Sequence, residues 1–233
     1  MTGVRLALLG TLVLAGCGGE VADEPGSPQA GSPPTGDPMA ALLDPDSSVW
    51  AEAAPERFTA RFQTTVGSFD VAVVREWAPI GVDRFYNLAR HGFYDDSRFF
   101  RVVEAFIAQF GIPGDPAVTA AWEGRAIRDD PVVASNRRGS LAYAMTGPDT
   151  RHTQIYFNLV DNIRLDSTGF APIGEVVQGL DVMDQLYAGY GEGAGGGMRR
   201  GDQMRMLTEG NAHLDQDYPL LDHIVRIDVL PAN

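Results

Sequence analysis

The sequence predicts a mainly β fold, a closed antiparallel β-barrel capped by two α-helices, and three observations carry that prediction. Short apolar runs of strand length recur along the chain, at 57–63, 68–74, 98–103, 106–110, 140–145, 155–159 and 223–230. Only two stretches read as helix, 79–90 and the shorter 182–187. The strands do not alternate with helices, which argues against a parallel α/β sheet. With 233 residues the chain is long enough for one domain of roughly 170 residues with extensions.

The N-terminus reads as an export leader over residues 1–16. Arg5 is its positive charge, and Leu6 to Leu14 form an apolar run too short for a membrane-spanning helix. The run closes on Leu14-Ala15-Gly16-Cys17, which resembles a bacterial lipobox with Cys17 as the lipidated first residue. An ordinary cleaved signal leaving a free thiol is the competing reading. Gly18 rather than Asp follows the cysteine, and by resemblance to lipoproteins this points to the periplasmic face of the outer membrane in a cell with two membranes. Cys17 is the only cysteine, so the folded part has neither disulfide nor thiol chemistry. Residues 17–55 are expected to form a lipidated start and a flexible acidic Pro/Gly-rich linker, with the folded domain at 56–233.

Charge excludes several partners. Eight acidic residues and no basic one lie between Arg5 and Arg57, so no polybasic membrane patch exists there and lipid must do the anchoring. A net charge of −13 argues against nucleic acid, whose phosphates require a basic face. All eighteen basic residues are Arg, which fits a GC-rich coding bias.

Within the folded part, residues 57–63 and 68–74 form a hairpin across the turn at Thr64-Thr65-Val66-Gly67. Ile80, Val82, Phe85, Leu88 and Ala89 then give an amphipathic stripe, with Pro79 in its first turn and Gly92 just past its end. The strands at 98–103 and 106–110 are separated by a kink at Glu104-Ala105. Two segments carry the chemistry: Phe99 to Gln109, and Gly139 to Pro148 running into Gln154-Ile155-Tyr156-Phe157. Each sets one or two strongly polar side chains in an apolar run. An Arg in such a run must reach solvent at the strand end or bind something, and no acidic residue of obvious spacing pairs with Arg101. Arg101 among phenylalanines, with Gln109 eight residues on and Gln154 beside an aromatic, suggests a shallow apolar pocket for an uncharged ligand offering a carbonyl or amide.

These segments resemble the cyclophilin family of peptidyl-prolyl cis-trans isomerases. The family pattern is an aromatic, any residue and Arg, then Phe five positions on and Gln three after that; here it is Phe99, Arg101, Phe106 and Gln109. A second signature falls at Gly139 to Phe157, and a third at Arg164-Leu165-Asp166 through Gly174 to Met183. The likeness runs from about Phe62 to Leu230, in order.

The resemblance implies Arg101 as the catalytic donor. It implies Phe106, Ile107, Gln109, Ala144, Met145, Gln154, Tyr156, Leu165 and Phe170 as substrate-binding residues. Phe106, Tyr156 and Leu165 would make the slot for the proline ring, Gln109 would hold the rotating carbonyl or orient Arg101, and Ala144 and Met145 would pair by backbone with the substrate. Phe106 and Gln109 differ by an odd number, so a regular strand would point them to opposite faces. The chain departs from the family at Tyr156 (usually Phe), at Arg164 (Trp in many eukaryotic members) and at the usual pocket His, whose space Phe170 would fill. His152 could contact substrate, although an exposed loop position is favoured.

Other signals carry less. Gly191-x-Gly193-x-x-Gly196 fits a dinucleotide fingerprint on paper but follows a helix rather than a strand, so it reads as a flexible loop. The four His residues lack ligand spacing, so neither metal nor cofactor is expected. Asp95-Asp96 and Asp129-Asp130 read as turn and cap residues. Inserts are expected at 115–128 and 189–210, with Trp122 packing the first onto the barrel. The expectation is a monomeric, lipid-anchored prolyl isomerase acting on Pro-containing segments of exported proteins. The rival is a non-catalytic cyclophilin-like chaperone or scaffold that grips such segments.

Overall fold

The computed structural model describes Met1, residues 38–195 and residues 203–232. Cys17, nearly all of the leader, the tether up to residue 37 and the third glycine of the fingerprint lie outside the described residues.

Eight strands form one antiparallel sheet: β1 (Arg57–Thr64), β2 (Gly67–Val74), β3 (Arg101–Val103), β4 (Ile107–Phe110), β5 (Ser140–Tyr143), β6 (Ile155–Asn158), β7 (Pro172–Gln178) and β8 (Ile224–Pro231). Their spatial order is β3-β4-β6-β5-β7-β2-β1-β8. The expected hairpin is present, with Arg57 opposite Val74 and Thr64 opposite Gly67. The sheet curls into a half-barrel, which corrects the expected closed one. β3 is three residues long, and a single bridge between Arg98 and His223 joins the two ends of the sheet. Phe100, which would extend β3, is buried in a second core with the later insert.

Alternation along the strands sorts the side chains. Phe62, Phe69, Phe110 and Phe157 meet on the concave face, with ring centroids 5.0 Å apart for Phe62–Phe69, 5.3 Å for Phe62–Phe157 and 5.7 Å for Phe110–Phe157. Such aromatic clusters contribute buried area and favourable ring geometry, here stacked for Phe62–Phe69 and Phe110–Phe157 and edge-to-face for Phe62–Phe157. Helix α2 (Pro79–Arg90) covers this core with Val82, Phe85 and Leu88, all fully buried. Its first turn is capped from fifty residues away: the Asp130 carboxylate accepts from the N–H of Ile80 at 3.0 Å and of Gly81 at 2.9 Å. Asp130 is itself held by buried Arg151 at 3.0 Å, so the cap reading of this residue holds.

Three local expectations are corrected. Residues 182–187 form a 3₁₀ turn at Val182–Gln185 rather than an α-helix, while short helices stand at α1 (Pro38–Leu42), α3 (Pro116–Ala121), α4 (Gln203–Glu209) and α5 (Asn211–Asp217). Strand β7 adds to the expected strands, in a stretch that the resemblance gives only as part of its third signature. Gly174 permits close strand approach, since a Cβ there would lie 2.5 Å from the Ala72 carbonyl oxygen. Residues 38–55, expected within the linker, are folded onto the domain. Trp50 packs 5.1 Å from Trp122 and 4.7 Å from His91, and the Trp122 indole N–H donates to the Leu42 carbonyl at 2.9 Å. Buried aromatic area and a satisfied indole hold this segment, whose three Pro break any regular period. Trp122 is buried, as packing of the first insert requires. No described helix is long and apolar enough to cross a membrane.

Candidate active site

Across β3, β4, β6 and β5 the register sets Arg101 opposite Gln109, Gln109 opposite Tyr156, and Tyr156 opposite Ala142. Residues paired across antiparallel strands share a face, so these four form one row on the convex side, opposite Val102, Ala108, Phe157 and Leu141 of the core. Arg101, Gln109 and Tyr156 of this row form the floor of a cavity of about 580 Å³. All the implied site residues line it: Arg101, Phe106, Ile107, Gln109, Ala144, Met145, Gln154, Tyr156, Leu165 and Phe170. Phe106 escapes the parity problem because it precedes β4. The turn before it places Ala105 at φ 53°, which frees Phe106 from the strand's alternation.

Polar contacts run as a chain along the floor. Arg101 Nη1 donates to Gln109 Oε1 at 3.1 Å, and Gln109 Nε2 donates to Gln154 Oε1 at 2.9 Å. Of the two roles considered for Gln109, this geometry favours orienting Arg101. The Arg101 guanidinium also lies 5.6 Å from the centre of the Phe106 ring, and Arg164 lies 5.0 Å from the same ring. Arg164 is exposed, so the position occupied by Trp in some relatives of the family carries here a cation resting on Phe106. The Ala144 N–H is taken by the Gln154 carbonyl at 2.9 Å, which limits Ala144 to its carbonyl for any backbone pairing with substrate.

The apolar wall is held by a buried polar network. The Tyr156 hydroxyl donates to Asn136 Oδ1 at 3.0 Å, which gives the extra oxygen at this position a partner, and burial keeps that phenol well above its ordinary pKa. Asn136 Nδ2 donates to the Phe170 carbonyl and to Asp166 Oδ1, each at 2.8 Å. Burial raises the Asp166 pKa, but donors from Ser135 and Asn136 outweigh it and hold the carboxyl below its ordinary range. The 3₁₀ turn Ile163–Thr168 that presents Leu165 ends at Gly169, whose φ of 90° lets the chain reverse so that Phe170 faces Tyr156, ring centroids 5.9 Å apart.

His152 lines the cavity, the less favoured of its two readings, and burial, aided by the positive Arg84, lowers its pKa. Other residues escaped the sequence reading. Thr146 and Thr150 line the cavity too; they sit inside the second signature, where a search for turn-closing hydroxyls would have found them. Gln203 reaches the cavity from the second insert. Arg101 also has an acidic partner after all: Glu192 Oε1 lies 2.5 Å from Nη2. No local signal connects residues 91 positions apart.

A family model described as cyclophilin type peptidyl-prolyl cis-trans isomerase/CLD matches residues 59–208, a span that includes every residue lining the cavity. The chain belongs to this cyclophilin family. Among curated cyclophilin-type relatives, a peptidyl-prolyl cis-trans isomerase of Acinetobacter baylyi is 29% identical over 133 residues, 53% of this chain and 69% of that one. Peptidyl-prolyl cis-trans isomerase B of Escherichia coli is 31% identical over 134 residues, 54% of this chain and 81% of that one. A Helicobacter pylori peptidyl-prolyl cis-trans isomerase is 33% identical over 136 residues, 56% of this chain and 80% of that one. A crystal structure of a cyclophilin type peptidyl-prolyl cis-trans isomerase from Cryptosporidium parvum aligns with a TM-score of 0.54, covering 76% of this chain and 99% of that one. At 20% identity that likeness concerns the fold alone.

Proposed function

We propose that this cyclophilin is a peptidyl-prolyl cis-trans isomerase that accelerates X-Pro isomerisation in exported proteins, held at a membrane by lipid on Cys17. The observation that carries the catalytic part is the row Arg101–Gln109–Tyr156, with a charged donor at one end of an apolar slot formed by Phe106, Leu165 and Phe170. Partial double-bond character puts rotation of a peptide bond behind a barrier of about 18–20 kcal/mol. In the twisted state conjugation is lost and the proline nitrogen becomes an acceptor. A donor aimed at that nitrogen stabilises the twisted state more than either planar one. Arg101 suits the task because its guanidinium is planar and always protonated, and Gln109 fixes its direction. The apolar slot holds the ring while the preceding residue turns. This chemistry needs only binding and a placed donor.

The test is exchange NMR on an Ala-Pro-type peptide with the purified full-length chain. Acceleration of cis–trans exchange supports the enzyme; binding without acceleration supports the non-catalytic module. The anchor and the extracytoplasmic address rest on Leu14-Ala15-Gly16-Cys17 and are tested separately. Cys17→Ser should abolish partitioning into detergent or leave the leader uncleaved, whereas unchanged processing and membrane binding would refute the lipobox.

A further inference from the structure

Resting on the isomerase reading but going beyond it, we propose that Glu192 is a positioning residue that holds Arg101 for catalysis. The Glu192 Oε1 atom accepts from Arg101 Nε at 3.1 Å and from Nη2 at 2.5 Å, so one carboxylate oxygen takes a whole edge of the guanidinium. Nη1 meets Gln109 at 3.1 Å. A guanidinium has five N–H donors. Three are engaged by these two partners, which fix its plane from two sides, and two remain for substrate. Arg101 and Gln109 are among the residues that line the cavity and Glu192 is not, so the carboxylate meets the guanidinium outside the cavity lining.

The insert is built to deliver this contact. Phe100, adjacent to Arg101, and Ala194, two residues past Glu192, are both buried in the second core with Ile112, Met206 and Leu214. The turn between is pinned by Gly193 N–H donating to the Tyr190 carbonyl and by the Tyr218 hydroxyl donating to the Gly193 carbonyl, each at 2.7 Å. Tyr190 and Tyr218 pack at 5.1 Å. Both ends of the ion pair are therefore fixed by one small core. A donor oriented before the reaction needs no reorganisation during it. The anion also lowers the positive potential that Arg101 presents, but the Glu192 side chain is 28% exposed, and water screens that effect more than it alters the geometry.

The experiment compares the full-length wild type with Glu192→Ala and Glu192→Gln, reading turnover and peptide affinity by exchange NMR and the Arg101 Nε–H signal by ¹⁵N NMR. Glu192→Ala should lower turnover roughly 5- to 30-fold with peptide Kd within about twofold of wild type. Glu192→Gln keeps an acceptor oxygen and should recover to within about threefold of the wild-type rate. The Nε–H should exchange slowly with solvent in wild type and Glu192→Gln, and rapidly in Glu192→Ala. Unchanged turnover in both variants would make the contact structural only and overturn the proposal. Faster turnover in both would also overturn it, by showing that Glu192 restrains Arg101. A wild type without isomerase activity would sink the isomerase reading and the proposal with it, whereas active wild type with unaffected variants sinks the proposal alone.

Discussion

Replacing Arg101 by Ala separates the chemistry from the fold. The substitution removes two hydrogen bonds to Glu192 and one to Gln109. Glu192 is 28% exposed and can rehydrate, and Gln109 keeps its bond to Gln154, so no buried charge is stranded. The stability cost should therefore stay near ~1 kcal/mol. The apolar slot persists, because Asn136 anchors Tyr156 and Phe170, and Asn162 holds the backbone of Phe106 and Leu165. Turnover should respond very differently. Losing a charge-assisted hydrogen bond made mainly in the twisted state costs about 2–4 kcal/mol, or roughly 30- to 1,000-fold. Arg101→Lys should rescue little, since an ammonium cannot reach Glu192 and Gln109 together while still facing the substrate. The assay is exchange NMR on a Pro-containing peptide, with thermal unfolding as the control for folding. Equal isomerisation rates for wild type and a folded Arg101→Ala would refute the mechanism.

Three further outcomes are expected. The Asp166 carboxyl is held below its ordinary range in the folded protein, so its contribution to stability is present above the unfolded carboxylate pKa and lost as pH falls through the lower folded value. Asp166→Asn should impose that loss at neutral pH, costing about 1 kcal/mol of peptide affinity by loosening the Leu165–Phe170 turn, and equal Kd values at pH 7 would contradict this. Burial and Arg84 lower the His152 pKa and favour its neutral form at pH 7; acidification below the ordinary His range should add a cation to the cavity wall and weaken peptide binding, and this acid leg should be absent from the Kd–pH profile of His152→Asn. Trp50→Ala should lower unfolding stability by about 2 kcal/mol through lost packing on Trp122 and His91 while leaving isomerisation unchanged, with denaturant titration as the measurement.

Much of the site was legible because its information is local. Alternation from Ile107 to Phe110 and within 155–159 separates core side chains from outward ones, although it misplaces Phe106, and the spacing of Phe99, Arg101, Phe106 and Gln109 marks one wall of the cavity. The period of a strand is a property of the backbone, so it survives whatever surrounds it. The docking of 38–55 was not legible, because three Pro and three acidic residues interrupt any helical or strand period there, while Trp50 and Leu42 decide its fate by finding Trp122.

By itself, then, the sequence determined the strand-rich class, the helix at 79–90 and the residue types that floor the pocket. Tertiary structure alone decided the register that lines Arg101, Gln109 and Tyr156 across three strands, since register depends on partners far apart in the chain. It also decided that the sheet stays a half-barrel, with Phe100 beside β3 buried in the insert's core and a single bridge between Arg98 and His223 joining the sheet's ends. The pairing of Arg101 with Glu192 belongs to the same category: two charges meet only where a separate small core brings their backbones together, and no spacing rule along the chain encodes that distance.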